Sequence, residues 1–215
     1  MEILIANTEE IESVKCIVSE DDILLTTVGP FMQYGTAALE AAIAKKAHYL
    51  DSTGEPSFIQ HVVQNYGKRA EDRGVTLLPA AAYDYIPGQT AAALALESAG
   101  PTASRVDIGY YGVGETPVKL SGGTLESIIH IMTEPAQFWR SGELVTDYGG
   151  TRLRHFHIAG KKRPAVSVST SEPFFLPRTF PQLADINVYL GWFGRASYLL
   201  QQTAKFNKIA LRIPG

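Results

Sequence analysis

With 215 residues, 45% of them hydrophobic, the chain is long enough for one large domain or two small ones. Charged residues make up 19% and the net charge is −3, with lysines and arginines scattered, so nothing draws it towards nucleic acid or an anionic membrane. The single cysteine, Cys16, excludes a disulfide framework within the chain and fits a reducing, cytoplasmic setting.

The opening Met1 to Ile5 lacks the basic start of a signal peptide, and the sequence turns acidic at Glu9 and Glu10. Apolar runs all fall short of the ~20 residues that span a bilayer, so no membrane span is expected. Ile3 to Ala6 reads as a strand. Asn7 or Thr8 is placed to cap a following helix, in which Cys16, beside Ile17 and Val18, reads as a small buried hydrophobe. Ile23 to Val28 is a second strand, stopped by Gly29-Pro30, and a helix from about Thr36 to Lys46 leads to a third strand, Ala47 to Asp51.

Pro56 suits the first position of a helix, where its missing N–H costs nothing. Ile59, Val62, Val63, Tyr66 and Ala70 then mark one buried face, and Gly74 closes the helix. Val75 to Leu78 reads as a fourth strand and Gln89 to Ser98 as another helix. Strands this continuously apolar are expected where helices cover both faces of a parallel sheet, so residues 1–100 read as an α/β, doubly wound, partial Rossmann-like domain.

After Gly100-Pro101 the texture changes to strands with few helices, which predicts an α+β domain over residues 101–215. The expected strands are Val106 to Tyr111, Arg152 to Ile158, Ala165 to Val168 and Ile186 to Leu190. Leu125, Ile128, Ile129 and Met132 form one helical face, and Leu199 to Phe206 another helix. Lys161-Lys162-Arg163 reads as a solvated turn. His155 and His157 share a strand face, but a zinc site needs more ligands than they offer, and no metal is expected.

Three segments carry a pattern: Thr27-Val28-Gly29-Pro30-Phe31 with Tyr34-Gly35; His48 to Glu55; and Tyr83-Asp84-Tyr85-Ile86-Pro87-Gly88. In this order the chain resembles the saccharopine dehydrogenase-like family, which includes the trans-acting enoyl reductases. Ser121-Gly122-Gly123-Thr124 with Ser127, and Asn187 to Gly194, are similar to that family's substrate domain. The resemblance implies an NAD(P)-binding Rossmann domain, a second domain shaping a pocket for a small-molecule substrate, and hydride transfer on a carbonyl, imine or enoyl group. Cofactor contacts then fall to Thr27, Val28, Gly29, Pro30 and Phe31, just past a strand's carboxyl end, and to Asp51, Ser52 and Thr53 after the next strand. Asp84 and Tyr85 become the acid–base candidates. Asp51 or Glu55 reads as a further acid or base if burial raises its pKa, and Ser52, Thr53 or Glu55 otherwise as a cap of the following helix.

The family opens with a strand, a G-x-G-x-x-G-like loop and a helix, and this sequence has none of them. Gly112-x-Gly114 has Pro117 where the third glycine would stand. Met1 therefore aligns with the third strand, leaving roughly 60 residues unaccounted for at ~30 per strand–helix unit. In the order 3-2-1-4-5-6 this exposes the edge of Ile23 to Val28, an invitation to homo-oligomerisation. The alternatives to an active NAD- or NADP-dependent oxidoreductase are a non-catalytic ligand-binding or interaction module on the same scaffold, or an inactive gene fragment.

Overall fold

A computed structural model describes residues 2–83, 85–112 and 135–210. The chain divides into two compact units, Met1–Ile86 and Pro87–Gly215.

The first unit contains α1 (Ile11–Lys15), β1 (Ile23–Thr26), α2 (Phe31–Lys45), β2 (His48–Asp51), α3 (Pro56–Arg73) and β3 (Leu77–Leu78). The three strands form a parallel sheet in the order β1-β2-β3, as strand–helix–strand repetition requires. Pro56 does begin α3, and Gly74, at φ 68°, ends it in the left-handed conformation that glycine adopts without strain. Ile59, Val62, Tyr66 and Ala70 are buried, as the helical spacing predicts, Phe58 is buried with them, and Val63 is only half-buried. The core joins α1, α2 and α3 with Tyr49, Leu24 and Leu77 of the strands. Within this unit the helices therefore gather on one face of the sheet, and Ile23 and Leu25 stay 67% and 62% exposed.

Two expectations at this end need correction. Ile3 to Ala6 forms no strand, and Ile3 and Ile5 are exposed. Strand-prone residues gain little without a ladder partner, because water satisfies the backbone equally well. Cys16 is exposed: it is the C-cap of the short α1, which turns Val14 inward instead. Asn7 does organise the chain before that helix, its side-chain oxygen accepting from the Glu9 N–H at 3.0 Å.

The second unit contains α4 (Ile86–Ala99, whose first residue belongs to the first unit), β4 (Arg105–Tyr110), β5 (Pro135–Arg140), β6 (Glu143–Tyr148), β7 (Leu153–Ile158), β8 (Lys161–Val168), α5 (Glu172–Thr179), β9 (Asp185–Leu190), a 3-10 turn (Gly194–Ala196) and α6 (Ser197–Ala210). The division thus falls before α4, where the texture of the sequence had suggested Gly100. Ala92 and Leu96 of α4 explain this, since they pack with Ile108, Val168, Leu183 and Ile186 of the second unit.

The six-stranded sheet is built around β9, which pairs in parallel with β4 and antiparallel with β5 and β8. Two hairpins flank it. Ser141-Gly142 links β5 to β6 and Ala159-Gly160 links β7 to β8, all four residues having positive φ, as two-residue hairpin turns need. Lys161, Lys162 and Arg163 lie in β8 opposite Ile158, His157 and Phe156, so they are strand residues at a hairpin's end rather than a turn. The helix expected around Leu125 to Met132 lies outside the described residues.

Candidate functional site

The candidate residues of the first unit collect at the carboxyl ends of β1 and β2. After β1, the Thr26 hydroxyl accepts from the Val28 N–H at 3.2 Å and turns the chain out of the sheet. Thr27, Val28, Gly29 and Pro30 are exposed. The Gly29–Pro30 bond is cis. Phe31 is buried at the first turn of α2, its ring 5.8 Å from that of Phe58. Of the five residues expected to meet a cofactor here, four are accessible and Phe31 supports them from below.

A helix N-terminus offers N–H groups to an anion. At α2 that place is taken. Glu55 accepts from the Phe31 N–H at 2.8 Å and from the Met32 N–H at 3.1 Å. Sequence reading placed Glu55 at its own helix, where it is the N-cap position of α3 but makes no side-chain cap bond. Its partners lie on the neighbouring loop, and only the fold brings them within reach.

Asp51 and Thr53 are buried, and Ser52 between them is exposed. Asp51 Oδ1 accepts from Thr53 N–H at 2.8 Å and from Ala80 N–H at 2.9 Å. Its backbone carbonyl accepts from Ala81 N–H at 2.7 Å. Burial pushes the Asp51 carboxyl above its usual range, and these N–H groups and Tyr49 only partly pull it back. Thr53 Oγ1 in turn accepts from the Glu55 N–H at 3.1 Å. Asp51 thus clamps the ends of β2 and β3 together, a role that no local motif marked.

Tyr85 is buried, and its hydroxyl donates to the Gly54 carbonyl at 3.2 Å. Tyr83 is 89% exposed. Asp84 lies outside the described residues. The bonds that join these loops, Glu55 to α2, Asp51 to Ala80 and Tyr85 to Gly54, come from the structure.

In the second unit, Glu172 is fully buried at the start of α5, and the Tyr110 hydroxyl donates to its Oε1 at 2.6 Å. Burial pushes its carboxyl up, against the influence of Thr170 and Tyr110. Nothing in the sequence reading singled it out, although an acid beside Ser169-Thr170-Ser171 and ahead of Pro173 was a visible helix start. His155 pairs with the Tyr198 hydroxyl at 2.8 Å. Among the described residues no group of three or more His, Cys, Asp or Glu could hold a metal ion. Gly112 is exposed. Gly114, Pro117, and Ser121 to Thr124 with Ser127, lie outside the described residues. Among the described residues no helix is long and apolar enough to cross a membrane.

No family model matches the sequence. A protein of Arabidopsis thaliana named a probable mitochondrial saccharopine dehydrogenase-like oxidoreductase is 33% identical over 87 residues, 40% of this chain and 19% of that protein. A trans-acting enoyl reductase of Mycobacterium bovis is 25% identical over 146 residues, 68% of this chain and 31% of that protein. The chain is homologous to the saccharopine dehydrogenase-like proteins. Apo saccharopine dehydrogenase (L-Glu forming) from Saccharomyces cerevisiae shares the fold, with a TM-score of 0.53 at 14% identity over 86% of this chain and 43% of that one. These saccharopine dehydrogenase-like relatives are much longer than the stretch they share with this chain.

Proposed function

We propose that the chain serves an NAD(P)-dependent oxidoreductase of the saccharopine dehydrogenase and enoyl reductase kind, acting on a carbonyl, imine or enoyl group of a small molecule in a reducing compartment such as the cytoplasm. The observation that carries this reading is the exposed Thr27 to Pro30 loop beside Ser52 at the carboxyl ends of two adjacent parallel strands, where α/β sheets bind ligands. The residues present suit the sugar or nicotinamide part of a dinucleotide. Thr27 and Ser52 offer hydroxyls, and Gly29 lets the backbone approach closely. The pyrophosphate does not suit α2, because Glu55 already fills its N-terminus and would repel a second anion.

When bound, NAD(P)H supplies the hydride. The chain's own residues then hold the ring and shape the floor of the site. Phe31 and Phe58 pack beneath the loop, Asp51 fixes Thr53 and Ala80, and Tyr85 ties the loop after β3 to Gly54. Tyr85 in this arrangement is a positioning residue. Asp84 remains the acid–base candidate of this reading.

Titration of the purified chain with NADPH and NADH, followed by nicotinamide fluorescence, tests it. Saturable binding in the micromolar range, about −8 kcal/mol, that Gly29→Val weakens at least about tenfold is expected. A folded chain that binds neither form does not itself hold the cofactor.

A second reading rests on the edge of β1, which among the described strands pairs with β2 alone, and on the exposed Ile23 and Leu25 of that strand. A module that pairs this edge with another chain would self-associate without cofactor affinity.

A further inference from the structure

In the sheet of the second unit, alternate positions share a face. Arg105 and Asp107 of β4 lie on the same face as Asn187 and Tyr189 of β9, since Asp107 stands opposite Asn187. Arg152 and Arg154 join them across β8. Tyr189 stands opposite Ser167, whose hydroxyl accepts from the Arg152 N–H at 3.1 Å. The other face is apolar and carries Ile108, Ile186, Val188 and Val168 into the core.

The polar face holds more positive than negative charge. Arg105 meets Asp107 through Nε and Nη2, with Nη2 3.1 Å from Oδ1. Arg154 Nη1 reaches Oδ2 of the same carboxylate at 2.8 Å. Arg152 Nη1 finds only the neutral Asn187 Oδ1, at 3.0 Å, and Asn187 Nδ2 in turn donates to Asp107 at 2.9 Å. Asp185, opposite Arg105, is the other acid acting there. Two guanidinium groups thus meet Asp107 and the third meets Asn187, and each of the three keeps N–H donors that no described residue accepts. Arg105 and Arg154 are 52% and 43% exposed in their side chains, so these donors meet water.

Tyr189 borders this cluster, two residues after Asn187 on the same face of β9 and opposite Ser167. Its residue is 4% exposed, its ring packs on Phe156 at 5.7 Å, and no described residue hydrogen-bonds its hydroxyl. Burial pushes the phenol's pKa up, and Asp107 adds to that, while Arg152, Arg105 and Arg154 pull it down.

We propose that this face is a binding site for an oxyanion, the carboxylate or phosphate group of a small ligand. It is seated on the Tyr189 hydroxyl and the remaining N–H donors of Arg152, Arg154 and Arg105. Planar guanidinium forks match two oxygens of either group, and Asp107 and Asn187 act as positioning residues that hold the arginines apart from one another. The site owes nothing to the dinucleotide reading of the first unit and goes beyond it.

The test is calorimetric titration of the full chain with inorganic phosphate and, separately, with acetate, at constant ionic strength set with potassium chloride. Saturable one-to-one binding of at least one anion is expected. Preference for phosphate assigns a phosphoryl ligand, and preference for acetate assigns a carboxylate. Arg152→Met, which leaves Asp107 its partners, weakens binding at least about tenfold, the scale of one charge-assisted hydrogen bond. Tyr189→Phe keeps the ring packing, folds, and weakens binding severalfold. Arg195→Met, in the exposed turn before α6, leaves it unchanged. The proposal is overturned if neither anion saturates, if Tyr189→Phe binds as the parent does, or if Arg195→Met loses as much as Arg152→Met.

Discussion

Glu55 closes the N-terminus of α2, accepting from the N–H of Phe31 across 24 residues of sequence. Its carboxylate also meets Met32, so one side chain serves two donors that the helix itself leaves open. Glu55→Ala removes both bonds and costs about 1–2 kcal/mol, in the range of other lost caps. Thermal denaturation checks this. A chain of this size should melt roughly 2–8 °C lower. Glu55→Gln should fall between the two, because an amide oxygen can accept but carries no charge to the helix end.

Gly35 faces Phe58 without room for a side chain. A Cβ there would lie 2.4 Å from the ring's Cζ. Gly35→Ala should therefore destabilise the first unit by about 1–3 kcal/mol, the usual effect of overpacking. Phe58→Leu should cost more by itself than in the Gly35→Ala background, since the smaller side chain frees the space the methyl needs. A double-mutant cycle by urea denaturation reads this coupling, and simple additivity of the two losses would contradict the proposed fit.

Much of the first unit was legible before any coordinates. α3 follows from its apolar spacing, Pro56 and Gly74, each a local signal. Ile3 to Ala6 misled for the converse reason, because strand propensity says nothing about whether a neighbouring strand is there to bond. The β5–β6 hairpin went unread although Ser141-Gly142 between Trp139 and Leu144 is a turn signal, since Pro135 and the charges of Arg140 and Glu143 break the apolar run. At the candidate site, the loops after the strands were visible as strand ends. The bonds that join them link Asp51 to Ala80 and Glu55 to Phe31, distances in sequence over which pattern carries no information.

Glu172 and Asp147 should respond to pH in opposite ways. Burial raises the Glu172 carboxyl above its ordinary value of 4.5. The stability it contributes is fully present below that value and is lost as pH rises through the folded-state pKa. Glu172→Gln, which mimics the protonated acid and can still accept from Tyr110, should flatten that decline. Stability measured by urea denaturation from about pH 4 to about pH 8 distinguishes the two chains.

Burial alone would raise Asp147, but Lys208 and Arg140 outweigh it and hold its pKa at about 2. Its contribution is present above the ordinary 3.8 and is lost as pH falls towards about 2. Asp147→Asn should destabilise the second unit at neutral pH and remove this part of its acid sensitivity. An acid titration of the folded fraction whose shape is the same in the variant would count against the Lys208 and Arg140 pairing.

The β1 edge makes a prediction about association. Leu25→Lys places a charge on a strand edge and should suppress any concentration-dependent self-association, read by sedimentation velocity, while Leu24, which packs into the core, is untouched. A chain that is monomeric at every concentration before substitution would remove the second functional reading.

The place of β9 sets an order on folding. Its partners come from β4 at Arg105–Tyr110, from β5 near Trp139 and from β8 at Val166–Val168, so none of these pairings closes until Asp185–Leu190 has been synthesised. The first unit, whose parallel strands are joined by short local crossovers, has everything it needs far earlier. On the ribosome it should collapse first, while β4 of the second unit, with Arg105, waits unpaired for a partner that emerges about 80 residues later.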